Sequence, residues 1–312
     1  MCRVESPPLH LGLLPAVSPL TDAEVRQFRQ DGFLVYRKLL QPGAGSNQHL
    51  QALQQAARDI TSSFFWTDLL FGKFFHKVRL QTWRSKRAIA QLAFESSLPS
   101  MAAQLLGEQS SIRILKDALF GQVPNKPGCG FHVDDKGFWP VRDDSNGVNF
   151  WIALSSYSKV EGGGIRVAKG SHKLDWARAC RDIIYAKKEG TKKSMTCSMP
   201  EWSPDCNERL ENISVTFDLE PGDVVMWDRW TFHMSDSFHG TNNGTEAKLR
   251  YTIRYIPSDA VAEGMHHGSV KDGELYHGHY YPQVWPMPLE EELMKLRGGF
   301  GWSIKDRLLP FL

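Results

Sequence analysis

From about residue 111 the chain changes texture, and that change limits the folds open to it. Short runs of β-branched and aromatic residues (Ser111–Leu115, Asn149–Leu154, Gly164–Ala168, Val215–Leu219, Val224–Trp227 and Arg250–Ile256) alternate with clusters of Gly, Pro, Asn and Asp. Runs of this length bounded by turn residues read as strands. No helical pattern regularly separates them, which argues against a doubly wound parallel sheet and for a sandwich or barrel. The first third is different. Thr21-Asp22-Ala23-Glu24 is a capping box that opens a helix running through Gln30 and ended by Asp31-Gly32. Phe33–Tyr36 follows as a strand. A second helix is expected from about Gln48 to Thr61, with Leu50, Leu53, Ala57 and Ile60 on one face, and further helical pattern lies near 86–106. The expected layout is a proline-rich arm over 1–20, a mostly helical support over 21–110, a β core over 111–257 and an extension over 258–312. Residues 174–212 interrupt the core with a polar, basic insertion containing Lys187-Lys188 and Lys192-Lys193, to be read as a lid or as a solvated loop.

Composition mainly excludes. With 41% hydrophobic and 23% charged residues the chain is an ordinary globular one. A net charge of +2 supplies no global field for nucleic acid or an anionic membrane, and no apolar run approaches the roughly 20 residues of a membrane span. The expected partner is a small molecule. Five cysteines, at 2, 129, 180, 197 and 206, form no Cys-x-x-Cys pair; their odd count and wide scatter suggest reduced thiols and a cytoplasmic protein. Arg3 to Leu11 loosely fits a peroxisomal nonapeptide signal, although Pro7 and Pro8 would break the helix such a signal favours.

The sharpest local feature is Gly130-Phe131-His132-Val133-Asp134-Asp135. A His and a carboxylate two apart on one strand project from the same face and can reach one metal. With a second His from elsewhere they make the facial triad of non-haem iron(II) oxygenases, which leaves open positions for an oxoacid and dioxygen. A second His is available. Glu220-Pro221-Gly222-Asp223 is a turn, Val224–Trp227 a strand, and Trp230-Thr231-Phe232-His233-Met234-Ser235 follows. Leu249–Tyr255 then forms a strand carrying Arg250, whose guanidinium can grip a carboxylate through two parallel hydrogen bonds, as 2-oxoglutarate requires.

These blocks resemble the phytanoyl-CoA dioxygenase family of iron(II)/2-oxoglutarate oxygenases. Thr21–Leu40 is similar to that family's opening helix and strand, and Gly130–Asp135 to its metal-binding strand. Asn149–Leu154 with Gly163–Lys173 is similar to its central hairpin, although Lys169 stands where a proline is usual. The resemblance implies a mainly β protein with a helical N-terminal part: a double-stranded β-helix (a cupin-like jelly roll) flanked by helices. It implies a dioxygenase using Fe(II), 2-oxoglutarate and O2, with ascorbate as a supporting reductant, that oxidises an unactivated C–H bond of a small metabolite and releases succinate and CO2. Hydroxylation is the default; desaturation and oxidative cyclisation need the same triad. Halogenation is disfavoured, because resembling halogenases replace the carboxylate ligand and Asp134 is present. By the same resemblance His132 and Asp134 match the first two ligands, Arg250 the co-substrate anchor, Trp151 a pocket-lining position and Ser235 a hydroxyl near the co-substrate. The rival reading is a non-catalytic jelly-roll module that binds a small molecule.

The distal ligand has two claimants. His233 lies eleven positions after Gly222, and Arg250 eleven positions after His239, both intervals typical of the family. His233 is preferred because it closes an unbroken strand whose register burial fixes, whereas His239–Gly244 is turn chemistry where extra residues cost little. Arg254 is the rival to Arg250. It lies on the same strand face about 13 Å further along, so the two cannot do one job.

Overall fold

The computed structural model describes residues 20–40, 46–107, 111–134, 136–191, 197, 199–240, 247–264 and 270–286. The N-terminal arm through residue 19, with the Arg3–Leu11 segment, lies outside them, as do Lys192-Lys193, Asp135 and the extension beyond 286.

Helix α1 (Asp22–Asp31) starts at the expected capping box: Thr21 accepts from the Glu24 backbone, and Glu24 accepts from the Thr21 N–H. Gly32 closes it in the left-handed region and hands the chain to β1 (Phe33–Tyr36). The supporting helices are α2 (Ser46–Ser62), α3 (Thr67–Phe71), α4 (Arg87–Glu95) and α5 (Leu98–Leu106), with β2 (Lys77–Leu80) between α3 and α4. The core strands are β3 (Ile112–Gln122), β4 (Val148–Ala153), β5 (Ile165–Ala168), β6 (Ser214–Thr216), β7 (Val224–Asp228), β8 (His233–Ser235), β9 (Lys248–Pro257) and β10 (Gln283–Trp285).

Among the described residues the strands form two antiparallel sheets. The larger has the order β1-β7-β4-β9-β3-β10, with β2 also on β3; the smaller is β6-β5-β8. Alternation divides the large sheet's faces. Leu249, Tyr251, Ile253 and Tyr255 of β9 join Phe150 and Ile152 of β4 and Val224 and Met226 of β7 in a core sealed by Leu53, Leu92 and Met101 of the helices. The opposite face sends Trp151, Val225 and Trp227 onto Ile165 and Val167 of the small sheet. This is the curled, helix-flanked β architecture expected from the sequence. Strand β3 runs well past the expected Ser111–Leu115, because its apolar residues continue on both faces through Phe120.

The insertion departs from expectation. It is largely helical: α6 (Asp175–Thr191), α7 (Met199–Trp202) and α8 (Pro204–Asn212). Ala177, Cys180 and Ile184 form an apolar stripe that packs on Phe131, Val133 and Ala168. The cysteines also correct the expectation. Cys129 is bonded to Cys197 and Cys180 to Cys206. Scatter in sequence does not keep thiols apart once the insertion packs on itself and against residues 129–133, and the cytoplasmic assignment loses the support it drew from reduced thiols. Among the described residues no helix is long and apolar enough to cross a membrane.

One buried acid lies outside the site. Asp117 on β3 faces the helices, where its Oδ2 accepts from Thr82 Oγ1 at 2.5 Å and from the Trp83 N–H at 3.0 Å. Burial pushes its carboxyl up to about 6 from the ordinary 3.8, despite these bonds. The folded value lies above the unfolded one, so stability falls as pH rises from about 4 to 6 and stays lower above that. Asp117→Asn is expected to gain up to about 3 kcal/mol over wild type at pH 8 and to lose that advantage near pH 4. Urea unfolding at the two pH values checks this.

Candidate metal centre

Along the segment Gly130–Asp134 the side chains alternate. Phe131 and Val133 bury themselves against the insertion helices, each worth about 1.5–3 kcal/mol, and so direct His132 and Asp134 the other way. The segment belongs to no longer strand. His132 meets His233 in an isolated antiparallel bridge with two backbone hydrogen bonds of 3.0 Å, which sets the imidazoles side by side with centroids 4.3 Å apart. Gly128, in the left-handed region, permits the close approach: a Cβ there would strike the carbonyls of Ser235 and Asp236.

Both imidazoles are oriented through Nδ1, which lies 2.7 Å from the Gly130 carbonyl in His132 and 3.1 Å from the Thr231 carbonyl in His233. A carbonyl only accepts, so each Nδ1 carries the proton and each Nε2 presents a lone pair. The Nε2 atoms stand 3.5 and 3.8 Å from Asp134 Oδ1. The three ligand atoms lie within 4.8 Å of one another, so one ion with bonds of roughly 2 Å fits among them. Two imidazole nitrogens and one carboxylate oxygen are the donor set of the facial triad, and its presence weighs against the jelly-roll module without chemistry.

Arg254 takes the other carboxylate oxygen. Its Nε and Nη2 donate to Asp134 Oδ2 at 3.1 and 2.7 Å. Burial alone would raise the Asp134 carboxyl, but the Arg254 guanidinium and the two imidazoles hold it well below the usual carboxylate range. Burial, reinforced by the neighbouring His132, pushes His233 down to about 3, so it is neutral at pH 7. A charged carboxylate and a neutral imidazole are the forms that bind metal.

Two residues along the inner face of β9, Arg250 is fully buried. Its Nη1 donates to Gln122 Oε1 and its Nη2 to Ser235 Oγ, each at 3.2 Å, and the guanidinium sits 4.9 Å from the ring centroids of Phe75 and Phe120. Among the described residues no carboxylate pairs with it. A buried cation left with neutral partners is costly, and an anionic ligand would remove that cost. Trp151 packs its ring on Tyr157 at 4.9 Å, within the core between the sheets. His239 is exposed in a loop, where its backbone N–H donates to the Glu161 carbonyl, and it is no member of the ligand group.

His132, Asp134, His233, Arg250 and Ser235 thus lie where the sequence suggests, whereas Trp151 packs in the core beside them. Gln122 is a partner of Arg250 that no motif marks, and Arg254 pairs with Asp134 rather than rivalling Arg250. The signal for Arg254 was its charge on an inward position of an apolar strand, which demands a buried partner.

A family model described as phytanoyl-CoA dioxygenase (PhyH) matches residues 28–242. No curated protein sequence matches the chain. Among solved structures, the non-heme alpha ketoglutarate dependent carbocyclase SnoK from nogalamycin biosynthesis superposes with a TM-score of 0.64 at 20% identity, over 86% of this chain and 100% of that one. The epimerase SnoN, in complex with Fe3+, alpha ketoglutarate and nogalamycin RO, gives 0.59 at 17% identity, over 84% and 97%. EctD from S. alaskensis with 2-oxoglutarate and 5-hydroxyectoine gives 0.56 at 15% identity, over 85% and 88%. At these identities the likeness is one of fold.

Proposed function

The chain belongs to the phytanoyl-CoA dioxygenase family of iron(II)- and 2-oxoglutarate-dependent oxygenases, and from that premise we propose that His132, Asp134 and His233 hold the iron while Arg250, with Ser235 beside it and Trp151 in the adjoining wall, anchors the co-substrate. The reaction is the oxidation of an unactivated C–H bond of a small molecule. Hydroxylation is the default outcome, and the same scaffold in neighbours described as a carbocyclase and an epimerase favours leaving cyclisation and related outcomes open.

Iron(II) bound with 2-oxoglutarate and O2 supplies the oxidising power, at the expense of oxoacid decarboxylation to succinate and CO2. The protein's own residues set the conditions. Hydrogen bonds from Nδ1 keep both imidazoles presenting Nε2. Arg254 keeps Asp134 ionised and occupies its Oδ2, so that Oδ1 would be the oxygen left to hold a metal. Arg250 supplies the charge for the far carboxylate, and the Phe75 and Phe120 rings around it exclude water and strengthen that pairing.

The observation that carries the reading is the buried Arg250 guanidinium, whose partners among the described residues are all neutral, on the same strand face as the arginine that pairs with Asp134. Anaerobic addition of Fe(II) and 2-oxoglutarate is expected to give a metal-to-ligand charge-transfer band. Arg250→Met should raise the 2-oxoglutarate concentration needed for that band by about 10–100-fold, the scale of one charged hydrogen-bonded contact. The absence of a band in wild type, or an unaltered titration in Arg250→Met, would sink the assignment.

A further inference from the structure

Four polar atoms on the inner face of the large sheet are buried with no hydrogen-bond partner among the described residues: Trp227 Nε1, Asn149 Oδ1, Asn149 Nδ2 and Arg254 Nη1. They are not scattered. Trp227 is the Cα partner of Asn149 across β7 and β4, and Asn149 is the partner of Arg254 across β4 and β9. The three side chains therefore form one row, with neighbouring Cβ atoms about 4.5–5.5 Å apart. Asn149 is completely buried, and alternation turns it away from its helix-facing neighbours Val148 and Phe150. The row also borders the metal residues: the Trp227 ring lies 4.7 Å from that of His233, and Arg254 already spends Nε and Nη2 on Asp134.

An isolated orphan can reflect local packing. Four on three adjacent strands beside a reactive centre call for a shared occupant, because each unmet buried group costs free energy comparable to a lost hydrogen bond. The set holds three donor groups and one acceptor, which suits an oxygen-rich partner. For a carboxylate carried by the substrate, charge points the same way. With a divalent ion and a doubly charged oxoacid in place, Asp134, Arg254 and Arg250 leave this group of charges one positive charge in excess. We propose that the Trp227–Asn149–Arg254 row is a carboxylate-binding subsite, the indole and amide N–H groups and the free Arg254 nitrogen donating to the carboxylate while Asn149 Oδ1 takes a proton from an adjacent hydroxyl or amine. The carboxylate belongs to the substrate or is the metal-proximal one of 2-oxoglutarate. The inference rests on the oxygenase reading for its choice of ligands, not for the existence of the row.

Two measurements test it without turnover. In the first, metal-free Asn149→Leu is compared with wild type by thermal unfolding. Removing an unsatisfied buried amide while keeping its volume should raise Tm by about 2–5 °C. A Tm at or below wild type overturns the proposal, since the amide then has a structural partner. In the second, the Trp227 indole N–H resonance, identified with Trp227→Phe, is followed in Zn(II)-loaded protein. A saturable shift on adding 2-oxoglutarate assigns the row to the co-substrate. A shift that appears only when hexanoate is added after 2-oxoglutarate assigns it to the substrate. Either shift must vanish in Asn149→Leu, and indifference to both probes overturns the proposal. If metal or 2-oxoglutarate fails to bind while the Tm gain persists and hexanoate alone moves the resonance, the oxygenase reading falls and the subsite stands.

Discussion

His233→Ala is expected to lose iron binding and turnover by more than the roughly 10–100-fold that outer hydrogen-bond partners of metal ligands cost, while His239→Ala keeps both. The reason is positional. The His233 Nε2 lies 3.8 Å from Asp134 Oδ1 and the residue is bridged to His132 through its backbone, whereas His239 is exposed beside Glu161. Calorimetric titration of Fe(II) under anaerobic conditions separates the two variants, and succinate yield in a single turnover confirms the ranking. Equal losses would leave the choice of distal ligand wrong. A pH signature accompanies the first variant. Burial pushes the His233 imidazole down to about 3 from 6.5, so the unfolded chain takes up a proton that the native one refuses. The resulting stability is complete above pH 6.5 and declines as pH falls toward 3. Metal-free His233→Ala lacks that part of the slope, so its stability relative to wild type improves on acidification.

Arg254→Met should destabilise the metal-free protein by about 3–5 kcal/mol, because it leaves Asp134 ionised, buried and without its cation. A divalent ion offers the same carboxylate a replacement counter-charge. The Tm gain on adding Zn(II) is therefore expected to be larger in Arg254→Met than in wild type, provided that the ion is held well above its dissociation constant. Thermal unfolding with and without metal reads both effects. A variant as stable as wild type without metal would show that Asp134 does not depend on Arg254, and a variant that metal fails to rescue would show that the ion does not sit on Asp134.

The strands and the His132–Asp134 pair were legible because both depend on short-range pattern, and strand register pointed to His233 as the third member of the group that meets. Val224–Trp227 and Arg250–Ile256 are visible as strands from composition, and His132 with Asp134 from alternation. What escaped depended on partners distant in the chain. The Cys129–Cys197 bond joins residues 68 apart and needs the insertion to fold back on the metal segment. The helices of that insertion were masked by their lysines, although Ala177, Cys180 and Ile184 already marked a buried stripe. Arg254 was legible as an inward charge, but its partner was not, because nothing in strand β9 states which carboxylate it will meet. Asn149 sits in an apolar run and looks like a misfit until its cross-strand neighbours are known.

Strand β9 works as a graduated rule. It is paired with β3 along its length and with β4 from Arg250 to Tyr255, and its alternate marks carry Arg250 to Gln122 and Ser235 and Arg254 to Asp134. A slip of a single residue would swing both guanidinium groups into the helical layer and put Leu249, Tyr251 or Ile253 in their place, so no half-correct alignment exists for selection to refine. Length changes in this chain should accordingly be tolerated just before Lys248, where they leave the graduation untouched, and be lethal to function anywhere between Leu249 and Tyr255.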